Sequence, residues 1–294
     1  MGRALADAYP EARAVFDDAD TALPGLSRVI FEGPEDQLTL TENTQPAILT
    51  MSIAAERVLD ARGIRPSFVA GHSLGEYSAN VAAGTMSFTD AVRLVRRRGQ
   101  YMQEAVPAGE GAMAAILGLD ADLVRQACEE AASGEVVSPA NINGAGQVVI
   151  AGAKNAVQRA GERAKALGAK RAISLPVSAP FHCAMMKPAE ERLAPELRAL
   201  STRDPRIPIV ANVDAQPKRD ARAAIEALVR QVSAPVRWEE VVRRLATEGV
   251  TTYVEVGPGS VLSGLVKKIQ KDAKVVNFAS PEDLAAVEEA ARNV

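Results

Sequence analysis

The sequence predicts an α/β protein: a mostly parallel sheet covered by helices, with a small ferredoxin-like domain inserted into it. Three observations carry this expectation. Short apolar runs alternate with helical stretches on both sides of the chain's middle, the pattern of a parallel sheet with crossover helices. Between residues 107 and 177 the order becomes β-α-β-β-α-β, the split βαβ signature. Finally, Val69–Tyr77 joins a strand to a helix through Gly-His-Ser-Leu-Gly, a sharp strand-to-helix bend. The expected domains are a discontinuous large one, 1–106 with 178–294, and a small one, 107–177.

Taken in order, residues 3–20 read as one alanine-rich amphipathic helix, and Gly33-Pro34 marks a loop. A polar approach over Thr39–Thr44 leads to a helix near Pro46–Ala61, with Ile48, Met51, Ala55, Val58 and Leu59 at helical spacing. Ser67–Ala70 is a buried strand ending at Gly71; a helix over Leu74–Ala83 follows at once. Ser87–Thr89 caps a longer helix, Asp90–Ala105, closed by Pro107. The small domain contributes strands at Met113–Leu117, Val136–Asn141, Gln147–Ala151 and Arg171–Leu175, with helices at Ala121–Ala132 and Lys154–Leu167. Beyond it, strands at Ile207–Asn212, Thr252–Val256 and Val275–Phe278 alternate with helices at Pro188–Leu200, Ala221–Val232, Arg237–Glu248 and Val261–Lys271.

Composition narrows the function. The chain has 294 residues, 47% hydrophobic, enough for a sizeable core built from aliphatic side chains, since aromatics supply only 4%. A net charge of −3 argues against a nucleic-acid coat or a polybasic membrane binder. Two cysteines, Cys128 and Cys183, make no disulfide framework and lack metal-site spacing, so no metal is expected. Without a run of ~20 apolar residues or a signal-peptide core, the chain is expected in the cytoplasm and off the membrane.

The bend carries the chemistry. With Ser73 at the apex and glycines flanking it, the hydroxyl projects at a helix N-terminus. Free amides there, Leu74 N–H among them, can receive a developing negative charge. The competing reading is a turn whose serine merely caps the helix. A serine attacking a carbonyl needs a base, most often histidine, and the chain has two. His72 adjoins the nucleophile, where neighbouring side chains diverge. That leaves His182, in Pro180-Phe181-His182-Cys183, at the junction of the two expected domains.

These residues carry a resemblance. Gly71-His72-Ser73-Leu74-Gly75-Glu76-Tyr77-Ser78, Arg98-Gly99, Gln100–Pro107, Ser178–Cys183 and Val256-Gly257-Pro258-Gly259 resemble the malonyl-CoA:acyl carrier protein transacylase family. The likeness spans about residues 5 to 270. It implies a hydrolase-like large domain and a monomeric cytoplasmic enzyme of fatty acid synthesis. Malonyl-CoA would acylate Ser73, and the malonyl group would pass to the phosphopantetheine thiol of acyl carrier protein, with no cofactor. By position, the resemblance makes Ser73 the nucleophile, His182 the base and the Gln231 backbone carbonyl the group that orients it.

The resemblance also supplies a substrate-carboxylate arginine at Arg98. Helical geometry alone leaves Arg96, Arg97 and Arg98 open, since successive residues point about 100° apart. A guanidinium grips a carboxylate through two parallel hydrogen bonds, which lysine cannot reproduce. Phe181 resembles the bulky residue that limits branched acyl groups, or is core. Met102 and Asn141 either line the pocket or are ordinary helix-face and turn residues. Cys183 reads as an inert buried thiol. Gly257-Pro258-Gly259-Ser260 is a packing turn or an anion nest. Lys267, Lys268 and Lys271 are a solvated face or a docking surface for an acidic carrier.

The chain departs from the family at its start. The first strand of the large domain and a Gly-Gln-Gly-Ser-Gln loop, which carries a second oxyanion donor, have no counterpart here. Two other readings therefore stay open. One is a serine esterase or thioesterase of the α/β-hydrolase type, which shares the bend; the other is a truncated, inactive carrier-binding homologue.

Overall fold

A computed structural model describes residues 1–177 and 179–292. Ser178, which opens the Ser178–Cys183 segment, lies outside the described residues, as do 293 and 294. The chain begins with two helices, Arg3–Ala8 and Pro10–Ala22, where the sequence predicts one. Tyr9 between them is extended, with φ −132° and ψ 119°. Proline disfavours the helical conformation in the residue before it and suits the first position of a new helix. The next long helix starts at Thr41 rather than Pro46 and runs to Asp60. Its polar beginning is anchored by side chains: Asn43 Nδ2 donates to Gln37 O at 2.8 Å and Thr44 Oγ1 to Leu38 O at 2.6 Å. Short helices at Leu26–Glu32 and Glu35–Thr39 flank the expected loop at Gly33-Pro34, and Leu284–Ala291 adds a helix the sequence reading passed over.

Nine strands lie among the described residues: β1 (Val69–Ala70), β2 (Gly111–Leu117), β3 (Val137–Gly144), β4 (Gln147–Ala153), β5 (Arg171–Ser174), β6 (Ile209–Val210), β7 (Pro217–Lys218), β8 (Thr252–Val256) and β9 (Lys274–Phe278). The parallel pairing expected of the outer segments is present in two separate sheets. β1 pairs parallel with β6, which β7 extends antiparallel; β8 pairs parallel with β9. The central segments form an antiparallel sheet of order β3-β4-β2-β5. Helices Ala121–Ala131 and Lys154–Ala166 cover it, packing Val124, Cys128, Val157 and Ala160 onto Ile116, Val148 and Ile150.

The main core lies elsewhere. Helices Thr41–Asp60 and Phe88–Glu104 contribute Leu49, Ile53, Val58, Val92 and Val95 to it, all buried. The antiparallel sheet is tied to the segment after helix Ala221–Gln231. Ile142 N–H donates to Val236 O, and Val236 N–H to Ala140 O, both at 2.8 Å.

The bend after β1 is held by backbone crowding. Ser73 sits at φ 52° and ψ −105°, a region that costs a non-glycine residue ~1–3 kcal/mol. A Cβ on Gly71 would fall 2.0 Å from the carbonyl carbon of Gly75 and 2.1 Å from its oxygen. Gly75, by contrast, has open space where its own Cβ would stand; of the two flanking glycines, crowding demands only Gly71. Gly71→Ala is expected to lose at least the ~1–3 kcal/mol of an overpacked site, read as a lowered urea midpoint. Gly75→Ala is expected to lose less.

Candidate active site

The bend lifts Ser73 at the head of helix Leu74–Ala82. Leu74 is that helix's first residue, so its amide has no partner within the helix. Ser73 Oγ lies 2.7 Å from His182 Nε2, although 109 positions separate the two residues. On the other side of the ring, His182 Nδ1 lies 2.9 Å from the Gln231 backbone oxygen. A carbonyl only accepts, so Nδ1 carries the proton and Nε2 is left to accept from the serine. His182 is 4% exposed, with φ 59°. Burial, and then the positive charge of Arg98, lower its pKa to about 3.

Arg98 completes the cluster. It is 2% exposed on helix Phe88–Glu104, with its guanidinium carbon 5.2 Å from the Tyr77 ring centroid. Nη1 donates to Gln45 Oε1 at 2.6 Å; Nη2 donates to Ser73 Oγ and to Gln231 Oε1, each at 3.1 Å. The neighbouring arginines turn elsewhere: Arg97 pairs with Glu196, and Arg96 reaches Asn43 and Glu42. Helical periodicity held a signal that separates the three. Ala91, Val95, Arg98 and Met102 fall on one buried stripe, so Arg98 alone occupies an apolar position.

Four polar residues that the sequence reading did not single out hold this cluster. Gln45 faces Arg98 from helix Thr41–Asp60. Asn212 accepts the Ser73 amide at 2.7 Å and donates to Gly71 O at 2.8 Å, bracing both sides of the bend. Glu76 accepts from the Asn212 amide and from Gln231 Nε2, and burial pushes its carboxyl up to about 7. Asn143 on β3 bonds His72 Nε2 at 3.0 Å. His72 thus faces the antiparallel sheet and Trp238, 5.7 Å away between ring centroids, rather than the serine. Asn212 had a signal: it follows a parallel strand beside β1, where ligands gather at strand carboxyl ends.

The remaining candidates fall around this cluster. Phe181, half-buried, packs against both the main core and the apolar face containing Met113 and Val149. Met102 is buried in the main core one turn beyond Arg98. Asn141 stands on β3, bridged to Val236, with a buried Oδ1 that lacks a hydrogen-bond partner. Cys183 is buried, its thiol pushed up to about 11 by burial. Gly257 is a packing turn: a Cβ there would fall 2.4 Å from Ser52 Oγ. The amides of Leu262 and Ser263 beyond it are taken by the Glu255 carboxylate. Lys267, Lys268 and Lys271 are exposed.

Comparison with known proteins identifies the family. The acyl transferase domain family matches residues 1–287. A malonyl CoA-acyl carrier protein transacylase of Bacillus subtilis (strain 168) is 50% identical over 286 residues, covering 97% of this chain and 90% of that protein. One from Escherichia coli (strain K12) is 51% identical over 284 residues, covering 96% and 92%. Among solved structures, an acyl carrier protein S-malonyltransferase from Vibrio cholerae superposes with a TM-score of 0.96 at 48% identity, covering 98% of this chain and 94% of that one. A malonyl-transacylase in complex with a type II PKS acyl-carrier protein superposes at 0.95 and 47% identity, covering 100% and 95%. The mixed α/β architecture is theirs as well. The chain belongs to the acyl transferase domain family, among the malonyl CoA-acyl carrier protein transacylases.

Proposed function

We propose that the chain transfers a malonyl group from malonyl-CoA to the phosphopantetheine thiol of acyl carrier protein, for fatty acid synthesis, through an ester on Ser73. The observation that carries this is one hydroxyl shared by a base and a buried cation: Ser73 Oγ is 2.7 Å from His182 Nε2 and 3.1 Å from Arg98 Nη2. In the first half-reaction Ser73 gives its proton to His182 Nε2 and attacks the thioester carbonyl. Leu74 N–H stabilises the oxyanion, and the imidazolium returns the proton to the departing CoA thiolate. The carrier thiol then gives its proton to the same nitrogen and takes the acyl group, restoring the hydroxyl. Thioester, serine and thiol balance this chemistry by themselves, so the proposal calls for no cofactor.

Arg98 selects the acyl group by gripping its free carboxylate, and the Gln231 carbonyl holds the imidazole. Phe181 beside the base limits the bulk admitted, while Met102 and Asn141 shape the pocket's edge. The antiparallel unit is read as a ferredoxin-like domain over 107–177: its order β3-β4-β2-β5 and two covering helices support that assignment. The two parallel pairs are read as parts of a hydrolase-like sheet that lacks a strand. β1 and β8 each hydrogen-bond to a single neighbour and are half-buried along their length. Two free cysteines suit a reducing, cytoplasmic setting. An esterase reading is less supported, because His182 leans on a carbonyl and not on the carboxylate usual in that class.

Ser73→Ala is expected to abolish the malonyl adduct seen in the intact mass after incubation with malonyl-CoA; a surviving adduct overturns the mechanism. Arg98→Ala is expected to lower the malonyl-to-acetyl ratio of kcat/KM about 10–100-fold, since a charge-assisted hydrogen bond contributes ~1.5–3 kcal/mol. An unchanged ratio refutes that role.

The pH profile follows from the lowered pKa of His182. A depressed pKa keeps the imidazole unprotonated, and so able to accept, until the solution is far more acidic than the ordinary ~6.5. The rate of Ser73 acylation at low malonyl-CoA is therefore expected to stay flat from pH 8 to 6. A half-maximal rate near pH 6.5 would contradict it.

A further inference from the structure

Glu76 is a charged side chain that the mechanism above does not use, yet it is 1% exposed and sits against the active cluster. It lies in the first turn of helix Leu74–Ala82, three residues after the nucleophile. Its Oε2 accepts from Gln231 Nε2 at 2.7 Å and from the Asn212 amide at 2.9 Å. Carboxylates are rarely buried to this degree unless their oxygens are engaged.

The bond to Gln231 has a directional consequence. Gln231 is itself fully buried, and its amide faces two ways. Nε2 points at oxygens: Glu76 Oε2, the Ser73 carbonyl at 2.9 Å and Asn212 Oδ1 at 3.3 Å. Oε1 points at Arg98 Nη2, 3.1 Å away. Turning the amide over would set Oε1 against three acceptors and the NH2 group against a guanidinium that only donates. The shortest of the Nε2 bonds, and the one that ends on a carboxylate, is the one donated to Glu76.

We propose that Glu76 is a positioning residue for acyl-group selection: by accepting from Gln231 Nε2 it fixes the Gln231 amide with Oε1 on Arg98, and so aims the guanidinium at the carboxylate of the incoming acyl group. The proposal rests on the malonyl-transfer reading. Among the described residues, two side-chain amide oxygens hold Arg98 beside the nucleophile, Gln45 Oε1 from one side and Gln231 Oε1 from the other. Releasing the second lets the guanidinium settle on Gln45 and on Ser73 Oγ, away from the angle that serves two parallel bonds to a carboxylate. A monoacid such as acetyl makes no such bonds. Misaiming Arg98 therefore penalises malonyl selectively, whereas damage to the bend itself would slow both acyl groups together.

The test is the malonyl-to-acetyl ratio of kcat/KM for Ser73 acylation, with malonyl-CoA and acetyl-CoA as the probes. Glu76→Met keeps the length of the side chain and removes the acceptor; its ratio is expected to fall about tenfold, as for the loss of one hydrogen bond in a charged network. Glu76→Gln keeps an acceptor oxygen and is expected to hold the ratio within about twofold of the unsubstituted chain. A Glu76→Met ratio that does not move, or a Glu76→Gln ratio that falls equally far, overturns the proposal. Should Glu76→Met fail to fold, Gln231→Leu decides, since it removes the amide but leaves the backbone carbonyl that holds His182. Its ratio is expected to fall about tenfold. An unmoved ratio in Gln231→Leu is equally fatal. The unsubstituted chain, measured alongside, separates two kinds of failure. If it transfers no malonyl, the functional reading falls and takes this proposal with it; if it transfers malonyl while the variants' ratios stay put, the proposal falls alone.

Discussion

The site is organised around a buried positive charge that has no ionic partner among the described residues. Arg98 is 2% exposed, and the hydrogen bonds it makes among the described residues end on neutral oxygens: Gln45 Oε1, Ser73 Oγ and Gln231 Oε1. An unpaired ion in a protein interior costs several kcal/mol. The fold carries that cost because the surrounding framework is stiff: helices Thr41–Asp60 and Phe88–Glu104 pack into one apolar core, and the arginine rises from the stripe that faces it. The charge is thereby left to attract an anion arriving with the substrate. In the proposed function, selectivity for a diacid would follow from what the folded chain withholds from Arg98 as much as from what it offers.

The same charge acts on Ser73 and His182, the two reacting groups of the proposed mechanism. Donation from Nη2 to Ser73 Oγ favours negative charge on that oxygen, which assists its deprotonation. Repulsion from the guanidinium, added to burial, keeps His182 unprotonated. These effects act in one direction, lowering the proton affinity of both partners while leaving a proton to be shared between them. Gln231 links the two halves of the device. Its backbone oxygen holds the imidazole and its side-chain oxygen the guanidinium, so one residue fixes the base relative to the cation. The pairing of β3 with Val236, five positions on, fastens the segment that follows it to the antiparallel sheet.

How far the sequence discloses this differs from residue to residue. The bend was legible because a short apolar strand, a glycine and an amphipathic helix must meet there, and the crowding at Gly71 bears out that local logic. His182 was legible by elimination, since two histidines exist and one adjoins the serine. Arg98 was identified through the resemblance, although its place on the apolar stripe was present in the periodicity. Gln45, Glu76 and Asn143 were illegible, and Asn212 was legible only by its place after a strand, for a shared reason. Each is a polar residue whose importance comes from partners far along the chain: Asn212 reaches Ser73 across 139 positions and Gln231 reaches Glu76 across 155. Local patterns do not carry such pairings. The split at Tyr9 and the early start at Thr41 were missed for the opposite reason. There a single proline, at 10 or 46, was given too little weight or too much.

The use of a carbonyl rather than a carboxylate behind His182 follows from the charge at Arg98. A carboxylate at the Gln231 oxygen would raise the basicity of the imidazole and strengthen it as a base. It would also stand within the field of a guanidinium bonded to the same serine, at a distance where Coulomb attraction in a buried site is large. The cation would then have an internal partner, and the substrate's carboxylate would have to compete with it. A neutral acceptor fixes the tautomer and the ring angle without that competition. Glu76, a carboxylate at the edge of the cluster, is set behind Gln231 and Asn212, and burial raises its carboxyl to about 7. This blunts its charge toward Arg98. On the proposed mechanism, base strength is given up so that the arginine's charge stays available, and the cationic environment that lowers the serine's proton affinity offsets part of that loss.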